Sequence, residues 1–287
     1  MKILVTGGTG TVGSQVVREL LARKADVSVL TRDAKKPLPP GATAVVGNLL
    51  EVASVRRVFN GIDEVFLLNP VSQTEATEAL MAVTAMRTAG VKRVVYLSVH
   101  HADQAPWLPH FGSKVAVEAA LKKSGMAWTI LRPNNFFQND YWFKDALLQY
   151  GVYPQPLGSV GLARVDVRDI AEAAAIALTQ PGHEAQTYDL VGPTSETGES
   201  TAKVWSTVLG KPIAYAGDDL QAWAKQQLQY LPDWQVFDFG EMYAFFQQHG
   251  LTASNEAIGR QTRMLGHAPR AFEAFASETA KGWLQGR

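Results

Sequence analysis

Cysteine is absent from the 287 residues. Disulfides, thiolate zinc sites, iron–sulfur clusters and thiol nucleophiles are therefore excluded, and nothing marks an oxidising compartment. An excess of either charge is missing as well: 27 lysines and arginines balance 27 aspartates and glutamates. A neutral chain has no overall field to draw it to nucleic acid or to an anionic membrane. Long hydrophobic runs are also missing, and the apolar stretch after Lys2 is too short for a signal peptide or a membrane span. These absences predict a cytoplasmic protein with neither nucleic acid nor membrane as partner. The six histidines, His100, His101, His110, His183, His249 and His267, lack metal-ligand spacing, so no metal site is expected. What remains is an ordinary globular composition, 46% hydrophobic and 19% charged, in a chain long enough for a sizeable core.

The first two-thirds alternate short runs of valine, isoleucine and leucine with longer amphipathic stretches. Strands are expected at Lys2–Thr6, Asp26–Thr31, Ala42–Val46, Asp63–Leu68, Arg93–Ser98, Trp128–Arg132 and in a short piece near Arg164–Val167. Helices are expected at about Val12–Lys24, Val52–Phe59, Thr74–Ala89 and Ser113–Lys123. Strands that are apolar throughout and spaced by helices predict an α/β fold, a doubly wound parallel sheet of Rossmann type covered on both faces. After Pro181 the rhythm changes to one more strand, Thr187–Val191, a loop over Gly192–Ser200 in which Glu196–Glu199 reads as solvated, and then mainly helical sequence. The expected division is a dinucleotide-binding domain at 1–155, to which 164–192 returns, and a smaller, mainly helical substrate-binding lobe at 193–287.

The strongest local signal is Gly7-Gly-Thr-Gly-Thr-Val-Gly13, placed after the first strand and opening the first helix. A dinucleotide pyrophosphate needs glycines for the tight turn and close backbone approach, and helix-terminal N–H groups to bind its charge. Gly7, Thr9, Gly10, Thr11, Val12 and Gly13 are the expected cradle. The second strand ends in Thr31-Arg32-Asp33, where an NAD enzyme usually places a carboxylate for the ribose 2′-hydroxyl. A guanidinium there holds a 2′-phosphate, so Arg32 favours NADP(H) over NAD(H); the competing reading has Asp33 on the ribose and Arg32 merely solvated. Asn48 after the third strand, and Leu68 and Asn69 after the fourth, fall at successive strand ends, where such cofactors lie.

With these residues in view the chain resembles the atypical short-chain dehydrogenase/reductases, in particular the NmrA-like branch. The matching stretches are Thr6–Gly13, Arg32, Val94–Ser98, Lys114–Glu118, Thr129–Phe136 with Asn139, and Val165–Ile170. The resemblance implies a Rossmann fold binding NADP(H), and either of two functions. One is an NADPH-dependent oxidoreductase passing hydride to a quinone or other conjugated aromatic acceptor; the other is a non-catalytic NADP-binding sensor. It also implies that Lys114 binds the nicotinamide ribose, that Ser98 stands at the family's catalytic serine, and that Pro133 approaches the nicotinamide. The usual Tyr-x-x-x-Lys is replaced by His110-Phe-Gly-Ser-Lys114. This departure weighs against carbonyl–alcohol chemistry and is shared by much of the NmrA-like branch.

A spacing of four puts His110 and Lys114 on one helix face if the helix already includes His110. A neighbouring ammonium and a helix N-terminus both favour the neutral ring, which casts His110 as a hydrogen-bond donor rather than a strong proton source. Phe136, Phe137, Tyr141 and Trp142 follow the sixth strand and offer stacking surface for a flat aromatic substrate. The bland alternative is that these rings pack a core or the face of a homodimer.

Overall fold

The computed structural model describes residues 1–285. Ile3, Leu4 and Val5 have no exposed surface, and neither do Val65, Phe66 and Leu67. Runs apolar on both sides of the pleat lie at the middle of a parallel sheet. Strands β1 (Lys2–Val5), β2 (Asp26–Thr31), β3 (Thr43–Val46), β4 (Glu64–Leu67), β5 (Arg93–Leu97) and β6 (Ala127–Pro133) alternate with helices α1 (Thr11–Ala22), α2 (Val52–Val58), α3 (Glu75–Ala89) and α4 (Pro109–Lys122). The chain then forms β7 (Val152–Tyr153) before α5 (Val167–Thr179) and β8 (Gln186–Leu190). The large sheet has the order β3-β2-β1-β4-β5-β6-β8, with β1 to β6 paired in parallel. Order reverses at β1, which carries the glycine turn at its carboxyl end; that reversal is where a doubly wound sheet opens a crevice.

The helices on one side bury Phe59, Ala82, Met86, Val117 and Leu121 against Leu4, Val65, Val94 and Tyr96. On the other, α5 packs on α1, and Ala171, Ala174 and Ala175 are among its buried residues. Asp169 sits in the first turn of α5, as a first-turn carboxylate should.

Two compact units emerge, the first comprising 1–133, 167–189 and 263–266 and the second 134–166, 190–262 and 267–287. Residues 134–155, grouped with the first lobe on sequence grounds, thus pack within the second. That unit holds α6 (Gly198–Leu209), β9 (Ala214–Tyr215) paired with β7, α7 (Leu220–Gln227), α8 (Asp233–His249), α9 (Asn255–Leu265) and α10 (Phe272–Gln285). No strand forms near Arg164–Val167. The backbone there is tied singly, with the Val165 N–H donating to Asn135 O at 2.9 Å and Phe137 N–H donating to Val165 O at 2.9 Å. Arg164 is fully buried and its guanidinium binds the Asp140 carboxylate, also fully buried. Trp205 Nε1–H and Tyr153 O–H donate to the same carboxylate at 2.9 and 3.2 Å. Burial, with the Asp140 anion beside it, pushes the Tyr153 phenol well up, so it remains a donor.

Glu196 is not solvated. It is 5% exposed and accepts from Thr194 and Ser200 hydroxyls at 2.8 and 2.9 Å, because α6 begins earlier than expected, with Thr197 as its N-cap. Among the described residues no helix is long and apolar enough to cross a membrane.

Candidate active site

The glycine turn is folded as tightly as its residue types allow. Gly7 has φ +63°, and a Cβ there would sit 2.1 Å from the Leu68 side chain. A Cβ on Gly13 would meet the Gly7 carbonyl at 2.2 Å, so this glycine sets the approach of α1 to β1. Gly10 differs: it is the exposed N-cap of α1, its N–H donates to Gly7 O at 2.9 Å, and an added Cβ would meet that oxygen at 3.3 Å, a tight contact but far less severe than at Gly7 or Gly13. Thr9 is half-buried, Thr11 is exposed and Val12 is buried. No side chain caps α1, which leaves the helix-terminal N–H groups facing the turn.

Three strand ends converge on this turn. Thr6 Oγ1 donates to Leu68 O at 2.8 Å and accepts from Leu68 N–H at 2.7 Å, which clamps the ends of β1 and β4 together. Asn69, next in the chain, is 5% exposed, and both its amide atoms lack a hydrogen-bond partner. At the end of β2, Arg32 is exposed, together with Lys35 and Lys36. Asp33 is turned into its own loop, where its carboxylate accepts the Lys35 N–H at 2.8 Å. Asn48 is likewise held in its turn by Glu51 at 3.0 Å and Leu50 at 3.1 Å.

Farther along the sheet, α4 starts at Pro109, a residue suited to the first helical position, so His110 lies inside the helix and on the face of Lys114. The residue that joins them is Glu75, in the first turn of α3. Its Oε2 lies 2.8 Å from His110 Nδ1 and its Oε1 lies 2.6 Å from Lys114 Nζ. Burial pushes the Glu75 carboxyl up, but the Lys114 charge and the His110 hydrogen bond outweigh it and hold it below its ordinary range. Lys114 is 4% exposed and lies over the Tyr96 ring, 5.4 Å from its centroid. Glu75 is absent from the candidates read from sequence. Its signal was there: it shares the buried stripe of α3 with Ala79, Ala82, Val83 and Met86, and a buried acid needs a cationic partner.

Ser98, in the expected catalytic set, is held by a carboxylate of α4. It is buried, and its hydroxyl donates to Glu118 Oε1 at 2.6 Å. A hydroxyl has one proton, and this one is committed to a carboxylate that also receives Arg132 Nε and Nη2 at 2.8 and 2.7 Å. Pro133 ends β6 buried, its carbonyl accepting the His100 N–H at 2.9 Å.

In the second unit the four expected aromatics separate. Phe137 is 1% exposed and packs between Phe272 and Phe275, with ring centroids at 5.2 and 5.5 Å, so it belongs to a core and not to a binding surface. Phe136 is half-buried, whereas Tyr141 and Trp142 are 47% and 75% exposed.

The chain is similar to known proteins in sequence and in fold. An NAD(P)H azoreductase of Xenophilus azovorans is 34% identical over 289 residues, covering 97% of this chain and 98% of that one. The NADPH complex of quinone oxidoreductase QOR2 from Escherichia coli superposes with a TM-score of 0.84 at 23% identity, covering 96% and 99% of the two chains. Triphenylmethane reductase of Citrobacter sp. with NADP(H) gives 0.82 at 21% identity, covering 98% and 100%. The NmrA-like family model matches residues 1–276, and the chain belongs to that family.

Proposed function

We propose that this chain is an NADPH-dependent oxidoreductase that reduces a quinone or another conjugated aromatic acceptor. The observation that carries the reading is the open glycine cradle at the uncapped N-terminus of α1, with exposed cations at the neighbouring strand end. The near-full-length likeness to an azoreductase supports the acceptor class. The residues fit the cofactor. Gly7 and Gly13 leave no room for side chains, Gly10 is open, and the orphaned amide of Asn69 awaits polar partners at the end of β4. Arg32 would hold the 2′-phosphate, since Asp33 already serves its own turn. Leu68 and Asn48 would border the nucleotide, and Pro133 the nicotinamide. Lys114 has three N–H donors, so its ion pair with Glu75 leaves others for the ribose hydroxyls.

Bound there, the reduced nicotinamide would supply the hydride. The protein's tasks are then to align the acceptor, exclude water and handle one proton. No tyrosine stands at position 110 to do the last, and His110 takes that place. Exposed Tyr141 and Trp142 offer stacking faces to a flat acceptor.

Steady-state NADPH oxidation with quinones and azo dyes tests the reading. Acceptor-dependent turnover is expected, and Arg32→Ala should weaken NADPH by about 10- to 100-fold, the loss of one or two charge-assisted hydrogen bonds, while NADH changes little. Tight NADPH binding with no turnover on any acceptor would indicate the sensor function instead.

A further inference from the structure

We propose that Glu75 is a positioning residue for this reduction: from α3 it holds both functional side chains of α4, fixing His110 with a proton on Nδ1 so that Nε2 is the atom that passes a proton to the acceptor. The inference rests on the reductase reading for its chemistry, and on the structure alone for its geometry. A carboxylate only accepts hydrogen bonds. Glu75 is held as an anion by Lys114, so the Nδ1 of His110 that lies 2.8 Å from its Oε2 carries the hydrogen. The tautomer follows: the neutral ring presents a lone pair at Nε2, and the protonated ring an N–H. This replaces the expectation that His110 acts as a neutral donor, because a neutral ring bound this way has spent its only hydrogen on Glu75.

Lys114 neutralises the carboxylate from one turn farther along α4, and Tyr96 of β5 lies beneath that ammonium. Glu118, farther down α4, is occupied by Ser98 and Arg132. A reduced nicotinamide bound in the cradle would supply the hydride, and the protein's own part would be to give the acceptor a proton from Nε2 of the imidazolium. A quinone thus becomes a hydroquinone, and water restores the proton to the ring.

The test is 15N-histidine labelling of the cofactor-free protein at neutral pH, with His110 assigned by the signal lost in His110→Gln. Wild type should show the Nδ1–H tautomer. Glu75→Leu should shift His110 to the Nε2–H form that prevails in water, and lower acceptor turnover by about 100-fold, the scale of a mispositioned acid. Glu75→Leu/Lys114→Met buries no lone ammonium and reports the tautomer if the single variant does not fold. An Nε2–H ring in wild type, or a tautomer unchanged in the variants alongside wild-type turnover, would overturn the role of Glu75 alone. Absence of turnover in wild type would overturn the reductase reading and proton delivery with it.

Discussion

Gly10→Val should leave the fold intact and weaken NADPH by at least about 100-fold, or about 2.7 kcal/mol. Two glycines three residues apart differ in what surrounds them. Gly10 has extended backbone, φ −93° and ψ −179°, which valine adopts readily, and its added Cβ would approach only the Gly7 oxygen at 3.3 Å. The new methyls would therefore project into the cradle, where a pyrophosphate must approach the backbone. Displacing it lengthens several charge-assisted N–H bonds at once, each worth about 1.5–3 kcal/mol. At Gly13 the order reverses. A Cβ there would lie 2.2 Å from the Gly7 carbonyl, which is backbone and cannot swing away, so Gly13→Ala should lower the melting temperature before any ligand is added. Thermal unfolding and titration with NADPH separate the two. Unchanged affinity in Gly10→Val would remove the turn from the binding site.

Asp140→Asn should cost about 3–5 kcal/mol of stability, the usual penalty for stranding one member of a buried ion pair. Arg164 and Asp140 are both fully buried, and the carboxylate also receives Trp205 and Tyr153. Asparagine keeps the shape but removes the charge, and it offers one acceptor oxygen where two are in use. The guanidinium, over the ring of Phe272 at 5.0 Å, would be left without its counter-ion. Because the cost comes from the stranded cation, Asp140→Asn/Arg164→Met should lose less than Asp140→Asn alone. Denaturant unfolding measures both. Equal stability of Asp140→Asn and wild type would mean that water reaches the guanidinium.

These two positions also mark what was legible in the sequence. The glycine turn and the positions of the strands depend on local pattern: apolar runs, helix spacing and a phosphate loop between them. They were readable within a residue or two, as at β2, which spans Asp26–Thr31 as expected. What escaped depends on pairing across the chain. Glu75 meets His110 across 35 positions, and Asp140 meets Arg164 across 24, separations that no periodicity reports. The strand expected near Arg164–Val167 does not form, and the buried Arg164 is instead paired with Asp140. The helix expected at about Ser113–Lys123 begins at Pro109 instead, with Gly112 inside it. In the structure a Cβ there would lie 2.5 Å from the Pro106 carbonyl, so glycine is needed for that close approach inside the helix. Phe137 shows the same limit, since a ring in a core and a ring in a pocket have one letter between them.

The central claim is that the cradle of α1 and the Glu75–His110–Lys114 cluster serve one reduction. A single-turnover experiment addresses it most directly: protein loaded with NADPH in equal amount is mixed rapidly with a quinone, and cofactor oxidation and hydroquinone are followed together. The account predicts that all bound NADPH is oxidised in one phase, with one hydroquinone formed per cofactor. Bound NADPH that stays reduced in the presence of quinones and azo dyes alike would contradict it.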